Sequence, residues 1–327
     1  MAAIPPPGPL TRQFLTLGGS LPARVKVTTW GVPPAEARCT LFYFGGMPCS
    51  SEEPALHSIV AGKADMYKEK KVHLVCVDKP GMGGSAMAWD FSIRKDWPCV
   101  IAKVADSLGV REYGVFGVSN GGPYVMACLA HHDDAIRTRC RAAANVVGVS
   151  DVSGSGYFSV RHPSCFAEGL YNSLPLFVTG PMIWMGITAG RWYATGSDSR
   201  WNSLVSPAFH TPEARLVAAQ CLQDASGNAG LGASLDCQQG LSPLYARPGQ
   251  GPESADEAFR RINVPVALWY GEKDSTVPMK TAHWLAERIK NRTLHFIPDG
   301  THMSTACNNG EAILDDLLTK MDAPRVV

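Results

Sequence analysis

The segment YGVFGVSNGGPYVMACLA, residues 113–130, carries the pattern that decides the fold. Its first six residues form an apolar, β-favouring run, and Tyr124–Ala130 forms a helical run. The five residues Gly117-Val118-Ser119-Asn120-Gly121, from the end of the first run to the turn before the second, have the form G-x-S-x-G. A serine on so sharp a strand-to-helix turn needs small residues two positions away on either side, and both are glycine. The pattern therefore predicts that Ser119 is a nucleophile at the start of a helix, whose dipole favours developing negative charge.

Strands and helices alternate on both sides of this segment. Unbroken apolar runs predict strands that are covered on both faces, at Thr40–Phe44, Val72–Asp78 and Ala143–Val149. Two further strands are predicted at Val264–Tyr270 and Thr293–Ile297. Arg24–Thr29 alternates between apolar and polar residues and indicates an edge strand, whereas Pro54–Lys70 has helical composition. This order favours an α/β fold with a mostly parallel central sheet and helices on both faces.

The alternation stops between residues 151 and 261, a region rich in Trp, Gly, Ser and Pro. Within it, Thr211-Pro212 predicts the start of a helix and Ser254 a capping box, whereas the glycine-rich stretch Ser226–Gly240 suggests a mobile loop. We therefore expect an α/β core made of residues 1–150, with a Pro-rich leader at 1–22, and of residues 262–327. A helical cap or lid at 151–261 would interrupt it.

Composition excludes several classes of function. The chain has 30 Lys plus Arg against 29 Asp plus Glu and a net charge of +1, which argues against nucleic acid or an anionic membrane as a partner. Its 10 cysteines are scattered, with neither a CxxC pair nor metal-ligand spacing, so we expect no metal and no cofactor. The start, MAAIPPPGPL, lacks the features of a secretory signal, and a reducing, cytoplasmic location is expected.

One uncharged stretch, Leu170–Gly190, is long enough to span a bilayer. It also contains two prolines and several polar residues and glycines. We interpret it as a buried or substrate-facing lid segment and expect no integral membrane span.

The sharp turn at Ser119 matches the nucleophile elbow of the α/β-hydrolase superfamily. The chain resembles this superfamily over nearly its whole length outside the leader and the insertion. Phe44-Gly45-Gly46-Met47-Pro48 is similar to the loop, usually His-Gly-x-Pro, that supplies one amide of the family's oxyanion hole. The resemblance implies that Met47 N–H and Asn120 N–H are the two oxyanion donors. Gly45 departs from the family, which often has histidine there. The turn Asp78–Ser85 resembles the family's Asp-x-Pro-Gly-x-Gly-x-Ser turn, which we interpret as structural.

The acid and base should follow the serine in the order Ser, acid, His. Asp274 comes just after the strand Val264–Tyr270, and the resemblance implies that it is the acid; Asp151 and Glu272 are the alternatives. His302, in a Gly-x-His setting after the last strand, is the implied base. His295 lies within a strand and is interpreted as a packed histidine.

The substrate pocket should lie near the oxyanion loop and under the insertion. Aromatic and Met side chains of the insertion would form apolar walls, which favours a hydrophobic substrate. The predicted pocket residues are Gly46, His57, Trp184, Met185 and Trp192.

The sequence therefore predicts a serine hydrolase that cleaves a carboxylic ester or thioester with an apolar acyl or aromatic part through an acyl-enzyme. The expected partner is a small-molecule apolar ester. Two alternatives stay open: an aminopeptidase or amidase of the same fold, and a non-catalytic ligand-binding relative. The first would need clustered acids for a substrate amine, but the acids of the insertion are dispersed, at Glu168, Asp198, Asp224 and Asp236.

Overall fold

The computed structural model describes residues 8–19, 21–150, 174–199, 209–241 and 253–324. The strands, in chain order, are β1 (Thr11–Thr16), β2 (Arg24–Gly31), β3 (Cys39–Phe44), β4 (Val72–Val77), β5 (Tyr113–Val118), β6 (Cys140–Val146), β7 (Val266–Gly271) and β8 (Arg292–Ile297). The helices are α1 (Pro54–Val60), α2 (Met66–Glu69), α3 (Ile93–Ser107), α4 (Gly122–Ala130), α5 (Asp134–Arg137), α6 (Leu176–Thr195), α7 (Pro212–Ala225), α8 (Leu231–Gly240), α9 (Ala255–Phe259), α10 (Met279–Arg288), α11 (His302–Asn308) and α12 (Gly310–Asp322).

The strands form one sheet in the order β1-β2-β4-β3-β5-β6-β7-β8. β2 pairs antiparallel with β1 and β4, and the strands from β4 to β8 pair in parallel. The predicted fold class is thus confirmed, but the predicted edge strand is wrong. β1 was missed, and because it pairs with β2 over Thr11–Thr16, it covers the strand that was expected at the edge.

The apolar side chains of the sheet divide between two cores, one on each face. On one face they pack against α3, α4 and α10. On the other face they pack against α2 and α12, where Ile313, Leu314, Leu317 and Leu318 repeat at helical spacing. Two local predictions shift: the Pro54–Lys70 run forms two short helices, α1 and α2, and the strand expected at Ala143–Val149 runs from Cys140 to Val146.

Four described helices, α6, α7, α8 and α9, lie between β6 and β7. The predicted helix start is confirmed, since the Thr211 side chain accepts a hydrogen bond from the Ala214 amide and Pro212 opens α7. The capping box at Ser254 is also present, at the start of α9.

The glycine-rich stretch Ser226–Gly240 is not a loop, because Leu231–Gly240 forms helix α8 and most of its residues are buried. Its glycines serve close packing. A Cβ on Gly232 would lie 2.5 Å from the backbone of Gly81, and one on Gly240 would lie 1.8 Å from Asn120 Oδ1. Because these glycines have no side chains, α8 can approach the core closely. The glycines here therefore mark close packing and not a mobile loop.

Only part of the uncharged stretch Leu170–Gly190 lies within the described residues, where it begins α6. None of the helices that the structure describes combines the length and the apolar character that a membrane span requires.

The parallel arrangement places the ends of β3, β5 and β7 on the same edge of the sheet. Residues that follow these strands therefore meet, although the chain separates them widely.

Candidate active site

The turn between β5 and α4 holds Ser119 in a strained conformation. Ser119 has φ 53°, a value that non-glycine residues rarely adopt. A Cβ on Gly117 would lie 2.6 Å from Gly121 O, and one on Gly121 would lie 2.0 Å from Phe44 O. Only glycine fits at both positions, which explains physically why the predicted motif needs them.

A chain of hydrogen bonds joins Ser119 to His302 and Asp274. His302 Nε2 lies 2.9 Å from Ser119 Oγ, and His302 Nδ1 lies 2.8 Å from Asp274 Oδ2. A carboxylate can only accept, so Nδ1 donates to Asp274. In the neutral ring, Nε2 is then the acceptor for the Ser119 hydroxyl proton.

Secondary structure fixes both partners of Ser119. The Asp274 side chain is fully buried just after β7, and its Oδ1 accepts hydrogen bonds from the amides of Thr276 and Val277 at 2.8 Å. His302 is the first residue of α11, and Thr301 caps that helix with Ser304. The carboxylate is therefore held in place from one side and orients the imidazole with the other.

Asp274, and not the alternative Glu272, is the acid that contacts His302. Asp151 lies outside the described residues, and Glu272 is exposed. The His295 ring stacks on Trp269 at 3.9 Å between centroids, and its Nε2 lies 3.4 Å from Asp316, which agrees with the interpretation of a packed residue.

The loop after β3 lies directly against the turn that carries Ser119. A Cβ on Gly46 would come within 3.3 Å of Ser119 Cβ, and a Cβ on Gly121 would meet the carbonyl of Gly45 as well as that of Phe44. No acceptor within the described residues takes a hydrogen bond from Met47 N–H. The resemblance assigns this amide to the oxyanion hole, and that role stays a prediction.

The departure at Gly45 has a structural cause. A Cβ there would lie 2.0 Å from Cys49 Sγ and 2.6 Å from Glu53 Oε2. That carboxylate also accepts a hydrogen bond from Tyr43 OH at 2.6 Å and one from the Cys49 thiol. Neighbouring side chains thus occupy the space that a histidine side chain would need. Their hydrogen bonds hold the loop in position instead.

A cavity of about 240 Å³ opens beside Ser119 and His302. Its wall is mostly apolar, with Met47, Pro48, Leu56, Val60, Val118, Phe209, Met303 and Ala306, and it includes the polar residues Glu53, His57 and Cys307. Burial raises the pKa of the Cys307 thiol to about 12, so this second potential nucleophile is protonated at neutral pH. Burial also lowers the pKa of His57, against the opposing effect of Glu53.

The predicted pocket residues divide into two groups. Gly46 and His57 line the cavity. Trp184, Met185 and Trp192 do not, because they lie on an exposed side of α6, and the expectation that they line the pocket needs correction. The aromatic composition of the insertion could not indicate which side of α6 faces the core.

Several lining residues were missed by the sequence analysis. Leu56 and Val60 are one turn apart on α1, directly after the oxyanion loop, and this i, i+4 spacing was an available signal. Met303 is adjacent to His302. Phe209 had no local signal. Within the described ranges, no group of His, Cys, Asp and Glu could hold a metal ion.

Comparison with known proteins gives relatives for the chain. No protein-family model matches it. It is 28% identical over 217 residues to the pimeloyl-[acyl-carrier protein] methyl ester esterase of Chromobacterium violaceum. The matched region covers 62% of this chain and 82% of that protein. Similar solved structures include an α/β-hydrolase fold protein from Nakamurella multipartita (TM-score 0.58, 16% identity, 96% of this chain and 100% of that one). An esterase from Exiguobacterium antarcticum is also similar (TM-score 0.61, 13% identity, 96% and 100%).

Proposed function

We propose that this chain, which has the α/β-hydrolase fold, is a serine hydrolase that cleaves carboxylic esters or thioesters with an apolar acyl or aromatic part. The observation that carries the proposal is the hydrogen-bonded series Ser119–His302–Asp274 at the wall of a mostly apolar cavity. The names of the relatives support ester hydrolysis in particular. A helical cap formed by residues 151–261 and a cytoplasmic location belong to the same proposal.

In the proposed mechanism, His302 Nε2 takes the proton of the Ser119 hydroxyl as Oγ attacks the substrate carbonyl. Asp274 holds the imidazole in the required tautomer and stabilises its charged form. Met47 N–H and Asn120 N–H stabilise the tetrahedral oxyanion, and each such donor typically lowers the barrier by about 2.7–4 kcal/mol. His302 then protonates the leaving alcohol or thiol. Water, activated by the same histidine, releases the acid from the acyl-enzyme and restores Ser119.

The cavity supports an apolar acyl group of modest size. Its volume of about 240 Å³ lies just below the range usual for ligand pockets, roughly 300–1,000 Å³. The argument for an amidase from the insertion's acids loses support, because the described ones form ion pairs within the chain: Asp198 with Arg215, Asp224 with Lys26, and Asp236 with Lys79. Glu168 lies outside the described residues.

Labelling with a fluorophosphonate tests this function. We expect intact-mass analysis to show one adduct on the wild type and none on Ser119→Ala. Turnover of short-chain p-nitrophenyl esters should fall by about 10⁴–10⁶-fold in that variant, because the attacking oxygen is lost.

The control for labelling is Ser107→Ala, which changes an exposed serine at the end of α3 and should be labelled like the wild type. Ester turnover that survives in Ser119→Ala would contradict the proposal. Amides hydrolysed faster than matched esters would favour the amidase alternative.

A further inference from the structure

A buried ion pair joins helix α8 of the insertion to the core beside the candidate active site. Asp236 Oδ2 lies 2.9 Å from Lys79 Nζ, and the two side chains are 2% and 6% exposed. Lys79 belongs to the turn after β4 that the sequence analysis interpreted as structural. Burying two charges is costly unless further hydrogen bonds compensate, and the partners of this pair indicate its role.

The pair is hydrogen-bonded on both sides. Tyr124 OH donates to Asp236 Oδ1 at 2.6 Å, and Lys79 Nζ lies 4.5 Å from the centre of the Tyr124 ring. Lys79 Nζ also donates to Gly46 O at 3.4 Å. The ammonium is therefore held between a carboxylate, an aromatic face and a backbone carbonyl of the oxyanion loop.

The Gly46 carbonyl is the other end of the peptide group that carries Met47 N–H. Because a peptide group is planar, a hydrogen bond to its oxygen restricts the direction in which its N–H points. A positive charge at the oxygen also polarises the group and strengthens the N–H as a donor. Lys79 thus influences Met47 N–H, one of the two proposed oxyanion donors, through the carbonyl at the opposite end of the same peptide group.

Helix α8 also contacts the residue that carries the second donor. Asn120 Nδ2 donates to the backbone carbonyl of Asp236 at 3.1 Å, and Gly240 packs against the Asn120 side chain so closely that no Cβ fits. The same helix therefore contacts Asn120 directly and the peptide group of Met47 through Lys79.

From these contacts we infer that Asp236 and Lys79 are positioning residues for the oxyanion hole, and that α8 completes the active site. This inference rests on the proposed function. It assigns to residues 231–240 a part in catalysis that is separate from covering the substrate. Because the pair acts on groups that bind the transition state, its loss should lower kcat and leave KM nearly unchanged.

The test compares Asp236→Asn with Asp224→Asn. Asp224 of α7 makes a second ion pair between insertion and core, with Lys26 at 3.4 Å, but none of its contacts reaches the oxyanion loop. Asn at position 236 can still accept from Tyr124 OH, so the change removes mainly the charge that holds Lys79. We expect kcat for a p-nitrophenyl ester to fall by about 10–100-fold in Asp236→Asn, with KM within about threefold of the wild type. Asp224→Asn should keep kcat within about twofold, since the geometry of the donors is untouched.

A transition-state analogue supplies a readout that a structural defect would not reproduce. A trifluoromethyl ketone forms an oxyanion with the serine, and its affinity should fall by the same factor as kcat/KM. The double variant Lys79→Met/Asp236→Leu replaces the pair by apolar side chains and should fold at least as stably as Asp236→Asn, yet remain slow.

The possible outcomes distinguish a failure of the inference from a failure of the proposed function. An Asp236→Asn protein with wild-type kcat overturns the inference alone, and so does a double variant whose kcat recovers, because the pair would then only fill space. An equal loss in Asp224→Asn also overturns it. A wild type that neither hydrolyses esters nor reacts with a fluorophosphonate overturns the proposed function and the inference with it.

Discussion

Two helices of the insertion, α6 and α8, contrast in how they use their side chains. α6 is the more apolar, yet it exposes its large residues, with Phe177 76% and Met185 58% exposed. α8 has mostly small residues and buries most of them against the core. Contact with the core thus follows from the absence of side-chain bulk in α8 and not from apolar composition. Glycine permits the approach of two backbones that a larger residue would hold apart.

The strongest test of this contrast is Gly240→Ala. Its new methyl group would overlap the Asn120 side chain, which is held by its hydrogen bond to the Asp236 carbonyl. We expect kcat to fall by about 10–100-fold, because Asn120 N–H is displaced from the oxyanion. The overlap should also destabilise the protein by about 1–3 kcal/mol. Ester kinetics and urea unfolding measure the two effects, and an unchanged kcat would mean that α8 can move without disturbing the site.

A second test concerns the buried carboxylate of Asp78, which lies beside Lys26, the core partner of Asp224 in the insertion. Burial raises the pKa of the Asp78 carboxyl to about 6, although Lys26 lies 3.5 Å away. Between pH 6 and the unfolded value of 3.8, the folded protein holds a proton that the unfolded chain lacks, so acidification stabilises the fold. This contribution is complete below pH 3.8 and is lost as the pH rises through 6.

Asp78→Asn removes this titration and leaves the other groups in place. The unfolding free energy of the wild type, relative to the variant, should therefore rise as the pH falls from 6.5 to 4, by at most about 1.4 kcal/mol per pH unit. Urea unfolding of both proteins at several pH values gives the difference. A difference that does not change with pH would show that Asp78 ionises normally in the folded state.

The smallest expected effect is in α6, at Gly186. A Cβ there would meet no atom within 4 Å. Gly186→Ala should therefore stabilise the protein by about 0.5–1 kcal/mol, because alanine loses less backbone freedom in a helix. Thermal unfolding measures this, and the variant is the matched control for Gly240→Ala. If both substitutions destabilise, the contrast between the helices fails.

The sequence was sufficient for predictions that depend on local pattern. The turn at Ser119 needs Gly117 and Gly121, and this requirement is visible in five consecutive residues. Asp274 and His302 each follow a strand, and parallel strands end on one edge, but the resemblance to the α/β-hydrolase superfamily is what singled them out as the implied acid and base. The structure brings these three side chains together, while their catalytic role stays a prediction.

What the sequence could not indicate depends on contacts between distant segments. Lys79 and Asp236 are 157 residues apart, and nothing in either neighbourhood identifies the other as its partner. The glycines of Ser226–Gly240 were read as a sign of mobility, since close packing against Asn120 is a property of the folded chain only. For the same reason the exposed side of α6, with Trp184, could not be told from its buried side.

The close contact of α8 with the core sets a limit on exchanging parts between proteins of this fold. A core that received a foreign insertion would keep Lys79 in a buried site without its carboxylate, and an uncompensated buried charge typically costs about 3–5 kcal/mol. A transplant that carries α8 together with Lys79, Tyr124 and a glycine at position 240 would keep the pair intact. The natural boundary for recombination therefore falls before α8, at about residue 230, and not at the end of β6.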